Sequence, residues 1–170
     1  MIKFWKKRIK NSILTEHLEY DKELTNIQKE LKSFISKKFA SSLSIRMIDS
    51  GSCNACESEC NALSNPYYNL DRLGINFVAS PRHADMLLVS GVNTFNMYHH
   101  LLDAYLQMPS PKYVVTLGDC PIMSQNVFDE SFAIVGDVAK YLPVAYHISG
   151  CPPSPNDIIV GLLEFLKRLK

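Results

Sequence analysis

The stretch Asp49-Ser-Gly-Ser-Cys-Asn-Ala-Cys-Glu-Ser-Glu-Cys60 follows directly on the apolar run Leu43-Ser-Ile-Arg-Met-Ile48. A short apolar run that breaks into a Gly- and Ser-containing loop reads as a β-strand leaving its sheet. Cys53 and Cys56 stand three apart, within reach of one metal centre from a single loop, and Gly51 gives the backbone the freedom such a bend needs. Two thiolates cannot hold a cluster. Two further cysteines occur in Thr116-Leu-Gly-Asp-Cys-Pro121 and Ile148-Ser-Gly-Cys-Pro-Pro153, each behind an apolar strand-like run, with Gly nearby and Pro directly after. Three strand exits of one form imply one shared sheet edge. We read Cys53, Cys56, Cys120 and Cys151 together as an iron–sulfur site.

Outward from this stretch the chain alternates strands and helices. After the Cys53 loop a short helix is expected from about Cys56 to Leu63, where Pro66 stops it. Strands are expected at Asn76-Phe-Val-Ala79, Ala84 to Gly91, Lys112 to Leu117 and Val144 to Ile148. Helical periodicity marks Asn96 to Leu106, a weaker helix Phe132 to Lys140, and a closing helix Asn156 to Lys170. The expected fold is α/β, a three-layer, mostly parallel sheet of the flavodoxin-like kind. Ligands of such folds lie outside the carboxyl ends of the strands, where Cys53, Cys120 and Cys151 fall.

Residues 1–40 differ in character. Ile2, Trp5, Ile9, Ile13, Leu24, Ile27, Leu31, Phe34 and Ile35 recur mostly at steps of three or four, which is helical spacing. This segment carries ten basic and five acidic residues, against eight and twelve in residues 41–170. We divide the chain into a basic amphipathic helical extension, 1–40, and a cluster-binding α/β domain, 41–170. The basic helix with Phe4 and Trp5 suits an anionic bilayer surface or, alternatively, a solvated face docked on a partner subunit.

The composition excludes several classes. Eighteen Lys and Arg against seventeen Asp and Glu, with no basic stripe interleaved with aromatics in the body, give no argument for nucleic acid. No stretch approaches the roughly eighteen apolar residues of a spanning helix. The start lacks the apolar core and cleavage site of a secretory signal, so a cytosolic, reducing setting is expected. An odd count of five cysteines there points to metal or redox chemistry rather than disulfides. No phosphate-binding Gly-rich loop and no Ser-His-Asp pattern stands out.

A lone Cys-x-x-Cys fits a redox dithiol, half a zinc site or a cluster pair, and its company favours a four-thiolate centre. Zinc stays chemically open, although structural zinc usually brings two local Cys-x-x-Cys pairs and here there is one. Cys60, one turn beyond Cys56, reads as a packed bystander. Glu57 and Glu59 allow two readings. A carboxylate beside an anionic cluster resists ionisation and can gain a proton with the electron, or the pair are solvent-facing acids favoured by a helix N-terminus. The histidines show no metal-ligand spacing among themselves.

Several separate motifs, in order, carry a resemblance: Gly51-Ser-Cys-Asn-Ala-Cys-Glu-Ser-Glu59, Pro66-Tyr-Tyr-Asn-Leu-Asp-Arg-Leu-Gly74, Ser80 to Gly91, Gly118-Asp-Cys120 and Gly150-Cys-Pro-Pro-Ser-Pro155. From about Leu43 onward the chain resembles the small subunit of membrane-bound, complex I-related NiFe hydrogenases, of the formate hydrogenlyase and energy-converting type. The PSST-type subunit of respiratory complex I belongs to the same superfamily. The resemblance implies one 4Fe-4S cluster on Cys53, Cys56, Cys120 and Cys151, and a role for Glu59 in proton movement. It implies a hydrogenase-like large subunit on the cluster face, a ferredoxin-like iron–sulfur subunit and membrane-arm subunits as partners. It also implies a peripheral place on the cytoplasmic face of the membrane. The protein would relay electrons to or from the large-subunit active site and have no activity alone. The complex I branch typically carries adjacent cysteines where this chain has Cys-x-x-Cys, which favours the hydrogenase branch over a quinone-reducing assembly. After the third ligand the chain runs Cys120-Pro-Ile-Met-Ser-Gln-Asn-Val-Phe128, where members commonly have Ala and a Gly-rich loop. A non-redox zinc-binding or assembly subunit is the alternative from another class.

Overall fold

The computed structural model describes residues 2–11, 21–122 and 131–169. The loop residues 123–128 and the position Ile13 lie outside the described residues. Two helices come first, α1 (Ile2–Asn11) and α2 (Lys22–Lys38). The body then alternates β1 (Leu43–Asp49), α3 (Ala55–Ala62), β2 (Ile75–Phe77), β3 (Met86–Ser90), α4 (Phe95–Gln107), β4 (Tyr113–Leu117), β5 (Val144–Ile148) and α5 (Pro155–Arg168).

The five strands form one parallel sheet in the order β2-β1-β3-β4-β5. This is the doubly wound order of flavodoxin-like proteins, whose direction of winding reverses between β1 and β3. Helices cover both faces, as a parallel sheet requires. On β3, Met86 and Leu88 join one core with Leu31 and Ile35 of α2 and Ile158, Leu162 and Phe165 of α5. Leu87 and Val89 face the other way, toward Leu101 and Ala104 of α4. All five residues of β3 are buried, the mark of a central strand covered on both faces.

Helix ends are set by local chemistry. Asp21 caps α2, its carboxylate accepting from the Glu23 amide at 2.9 Å. Ser154 and Asp157 close a reciprocal capping box at the start of α5, with Pro155 in its first turn. The apolar face of α2 is buried along its length, at Leu24, Leu31 and Ile35, against α5, so this helix shares the core of the body.

One expected element is absent. Residues 132–140 form no α-helix. Gly136 takes φ +115°, and the segment spends its backbone groups on neighbours. Phe95 donates to the Ala133 carbonyl, Val135 to that of Asn93, and Val138 to that of Pro121. Only a short 3₁₀ turn, Val138–Lys140, remains.

Candidate metal centre

The four cysteines reach one edge of the sheet from three strand exits. Cys53 lies on the loop after β1, Cys56 in the first turn of α3, Cys120 after β4 and Cys151 after β5. The exits are built by backbone chemistry. Asp49 accepts from the amides of Gly51 and Ser52, at 2.7 and 2.6 Å, and turns the chain directly off β1. Ser52 Oγ accepts from the Asn54 amide, and Asn54 enters α3 in the left-handed region at φ 69°.

The β4 and β5 exits are tied to each other. Gly118 donates to the Ile148 carbonyl at 2.8 Å and Asp119 to that of Gly150 at 3.0 Å. The Asp119 carboxylate accepts in return from the Gly150 amide at 2.7 Å. Cys120 and Cys151 are thus fixed on one rigid pair of loops. Gly118 has φ +79°, and a Cβ placed there would stand 2.7 Å from the Cys56 sulfur. Gly91, at the end of β3, presses equally close on the backbone of Gly51 and Ser52. The Cys53–Cys56 loop is therefore held against both neighbouring strand ends by side chains that are missing.

Electrostatics register the convergence. Burial pushes the Cys56 thiol up from 9.0 to about 12, and negative charge on Glu57, Cys120, Cys53 and Cys151 adds to that rise. Cys120 is raised by burial first, then by Cys151, Cys53 and Asp119. Cys56 and Cys120 therefore resist becoming thiolates, so loading a cationic centre must drive their protons off. Cys56 is buried, Cys120 half-buried, and Cys53 and Cys151 exposed. Among the described residues no three His, Cys, Asp or Glu groups close on a point that would hold a single metal ion.

The donor set fits an iron–sulfur cluster. Four thiolates are its standard ligands, and the positive end of α3 favours an anionic centre beside Cys56. Cys60 lies one turn further on, packed in the core at 3% exposure.

Sequence reasoning singled out Glu57 and Glu59 but not what they touch, and it passed over Asp119. Glu57 turns back under β3, one carboxylate oxygen accepting from the Ser90 hydroxyl and the other buried without a hydrogen-bond partner among the described residues. Glu59 acts instead on Cys60 and Tyr68, whose protons its charge helps to retain. Asp119, which stitches the two ligand loops, follows Gly118 and precedes Cys120, and only its position in that turn signals the role. His147 bonds Thr116 Oγ1 at 3.0 Å, behind the ligand loops rather than among them.

Comparison with known proteins identifies the family. The family profile described as NADH ubiquinone oxidoreductase, 20 Kd subunit, matches residues 53–165. A Pyrococcus furiosus protein named probable membrane-bound hydrogenase subunit mbhJ is 39% identical over 122 residues, 72% of this chain and 72% of its own. Formate hydrogenlyase subunit 7 of Escherichia coli is 37% identical over 140 residues, 82% of this chain but 54% of its own length. A chain in the structure of the membrane-bound sulfane sulfur reductase, described as an archaeal respiratory membrane complex, superposes with a TM-score of 0.66 at 30% identity. That match covers 82% of this chain and 75% of the other.

Proposed function

This chain belongs to the NADH ubiquinone oxidoreductase 20 kDa subunit family, and from that premise we propose that it is the electron-relaying subunit of a NiFe hydrogenase-like membrane complex. Cys53, Cys56, Cys120 and Cys151 hold one 4Fe-4S cluster in this reading. The observation that carries it is the meeting of four thiols, from three strand exits, around the buried Cys56. When bound, the cluster stores and releases one electron at a potential set by burial and by hydrogen bonds to its sulfurs.

The cysteines differ in depth, which gives the proposed site an inner and an outer side. Cys56, in the first turn of α3, is buried, while Cys53 and Cys151 stand at the surface, where a large subunit would cover them. Beside Cys53 runs a groove of about 500 Å³ lined by Gly51, Ser52, Val92, Ser131, Ala133 and Ile134, the natural seat for that partner. A ferredoxin-like subunit would supply or take the electron, and membrane-arm subunits would anchor the assembly at the cytoplasmic face. No described helix is long and apolar enough to cross a membrane. A partner of quinone-reducing type is the second reading, because the family's own name is that of such an enzyme.

The test is iron and acid-labile sulfide content, with electron paramagnetic resonance of the dithionite-reduced complex purified without oxygen. About four irons and four sulfides assigned to this subunit, lost in Cys120→Ser and Cys151→Ser, are expected. Zinc in their place, or an intact complex with no metal here, would sink the relay. Glu59 carries the proton role in this proposal, and unchanged turnover of the complex in Glu59→Gln would remove it.

A further inference from the structure

Helix α1 is the most strongly charged element of the chain and has no part in the cysteine site. Five of its ten residues are Lys or Arg and none is acidic. Lys3, Lys6, Lys7, Arg8 and Lys10 are all exposed. Trp5 and Ile9, one turn apart, are 57% and 79% exposed, an apolar strip that the described residues leave uncovered. At helical spacing Lys3, Lys6, Lys7 and Lys10 form a continuous basic face on the side away from that strip, and the Arg8 guanidinium lies 5.9 Å from the centre of the Trp5 ring.

We propose that α1 lies in the interface of an anionic lipid bilayer, with Trp5 and Ile9 among the acyl-chain ends and its lysines on the headgroup phosphates. The charge decides between occupants. Protein interfaces are poor in lysine at their cores, whereas an anionic membrane surface attracts every lysine and arginine within a Debye length. An aromatic residue set among basic ones on a short amphipathic helix is the pattern of a surface-lying anchor. The body cannot supply this attraction, since the whole chain has a formal net charge of only +1. The inference rests on α1 alone, and it holds or fails whatever the cysteines bind.

Trp5 is the only tryptophan in the chain, so its fluorescence reports on α1 without labelling. The full chain is titrated with vesicles of phosphatidylcholine, pure or mixed with phosphatidylglycerol, some carrying brominated acyl chains. Expected on the mixed vesicles are a blue shift and bromine quenching, both reversed by high salt. Binding should weaken about tenfold or more in the pair Lys6→Glu and Lys7→Glu. It should be unchanged in the pair Lys29→Glu and Lys32→Glu on α2, which makes the same change of net charge. Equal binding to pure phosphatidylcholine, equal weakening by both pairs, or a blue shift that appears only when partner subunits are added would overturn the assignment.

Discussion

Gly118 shows how one residue sets how closely the β4 exit approaches the Cys56 sulfur. Its φ of +79° costs alanine about 1 kcal/mol, and the added methyl would lie 2.7 Å from the Cys56 sulfur. Gly118→Ala should therefore lower the thermal midpoint and remove most of the iron, read as metal per protein. Full iron with an unaltered resonance spectrum would show that the close approach is dispensable. Cys60 gives the converse case. Its thiol is pushed up from 9.0 to about 12, by burial first and then by Cys56, Glu57 and Glu59. Between those values an unfolded chain has lost this proton while the folded one keeps it. Stability is thus fully present below pH 9.0 and falls as the pH rises, by up to about 1.4 kcal/mol per unit. Urea unfolding of the cluster-free chain should show a shallower alkaline decline in Cys60→Ala than in the native sequence. Iron content of the assembled protein should not change, and its loss would make Cys60 a ligand. The candidate cysteines stood out in the sequence because Cys53, Cys120 and Cys151 each follow an apolar strand-like run with a Gly nearby, and Cys120 and Cys151 run directly into Pro. The Glu57 contact with Ser90 was not, since it depends on which way α3 turns beneath β3.

At the scale of elements, β1, β3, β4, β5, α4 and α5 follow from periodicity and stop signals, because each is long or apolar enough for one pattern to dominate. The segment 132–140 misled because its apolar residues do recur at helical steps. Gly136 and the open hydrogen-bonding groups of the β3–α4 connection outweigh that weak preference. Helix α2 was visible as a helix, but its docking on α5 is a pairing across most of the chain, which local pattern does not encode. Packing and charge can be separated there. Leu31 is wholly buried between α2 and the sheet core, so Leu31→Ala should cost about 2–5 kcal/mol in urea unfolding. Neighbouring Glu30 pairs with Lys167 at 3.2 Å, yet the two side chains are 48% and 38% exposed. Glu30→Ala should cost less than about 1 kcal/mol. Comparable losses in the two variants would mean that α2 is held by charge rather than by its apolar face.

For the whole molecule, the parallel sheet explains why residues nearly a hundred positions apart meet: all five strands deliver their carboxyl ends to one edge. That much followed from the alternation of strands and helices. What the sequence left hidden is the surface around the site, because exposure is a property of the assembled chain. Phe132 is 95% exposed and Phe95 58%, both at the segment that pairs Thr94 with Ile134 and lines the groove beside Cys53. In the proposed assembly, large aromatic side chains so exposed near Cys53 are the place for a partner subunit to dock. Phe132→Glu places a charge on that face without touching a cysteine or the core. Iron per chain should stay at the native level, while affinity for the large subunit falls about tenfold or more, measured by co-purification and by titration of the separated partners. Iron lost together with the partner would mean that the large subunit is needed to retain the cluster. Full association of the variant would move the docking face of the proposed relay away from Cys53, and with it the exit proposed for the electron.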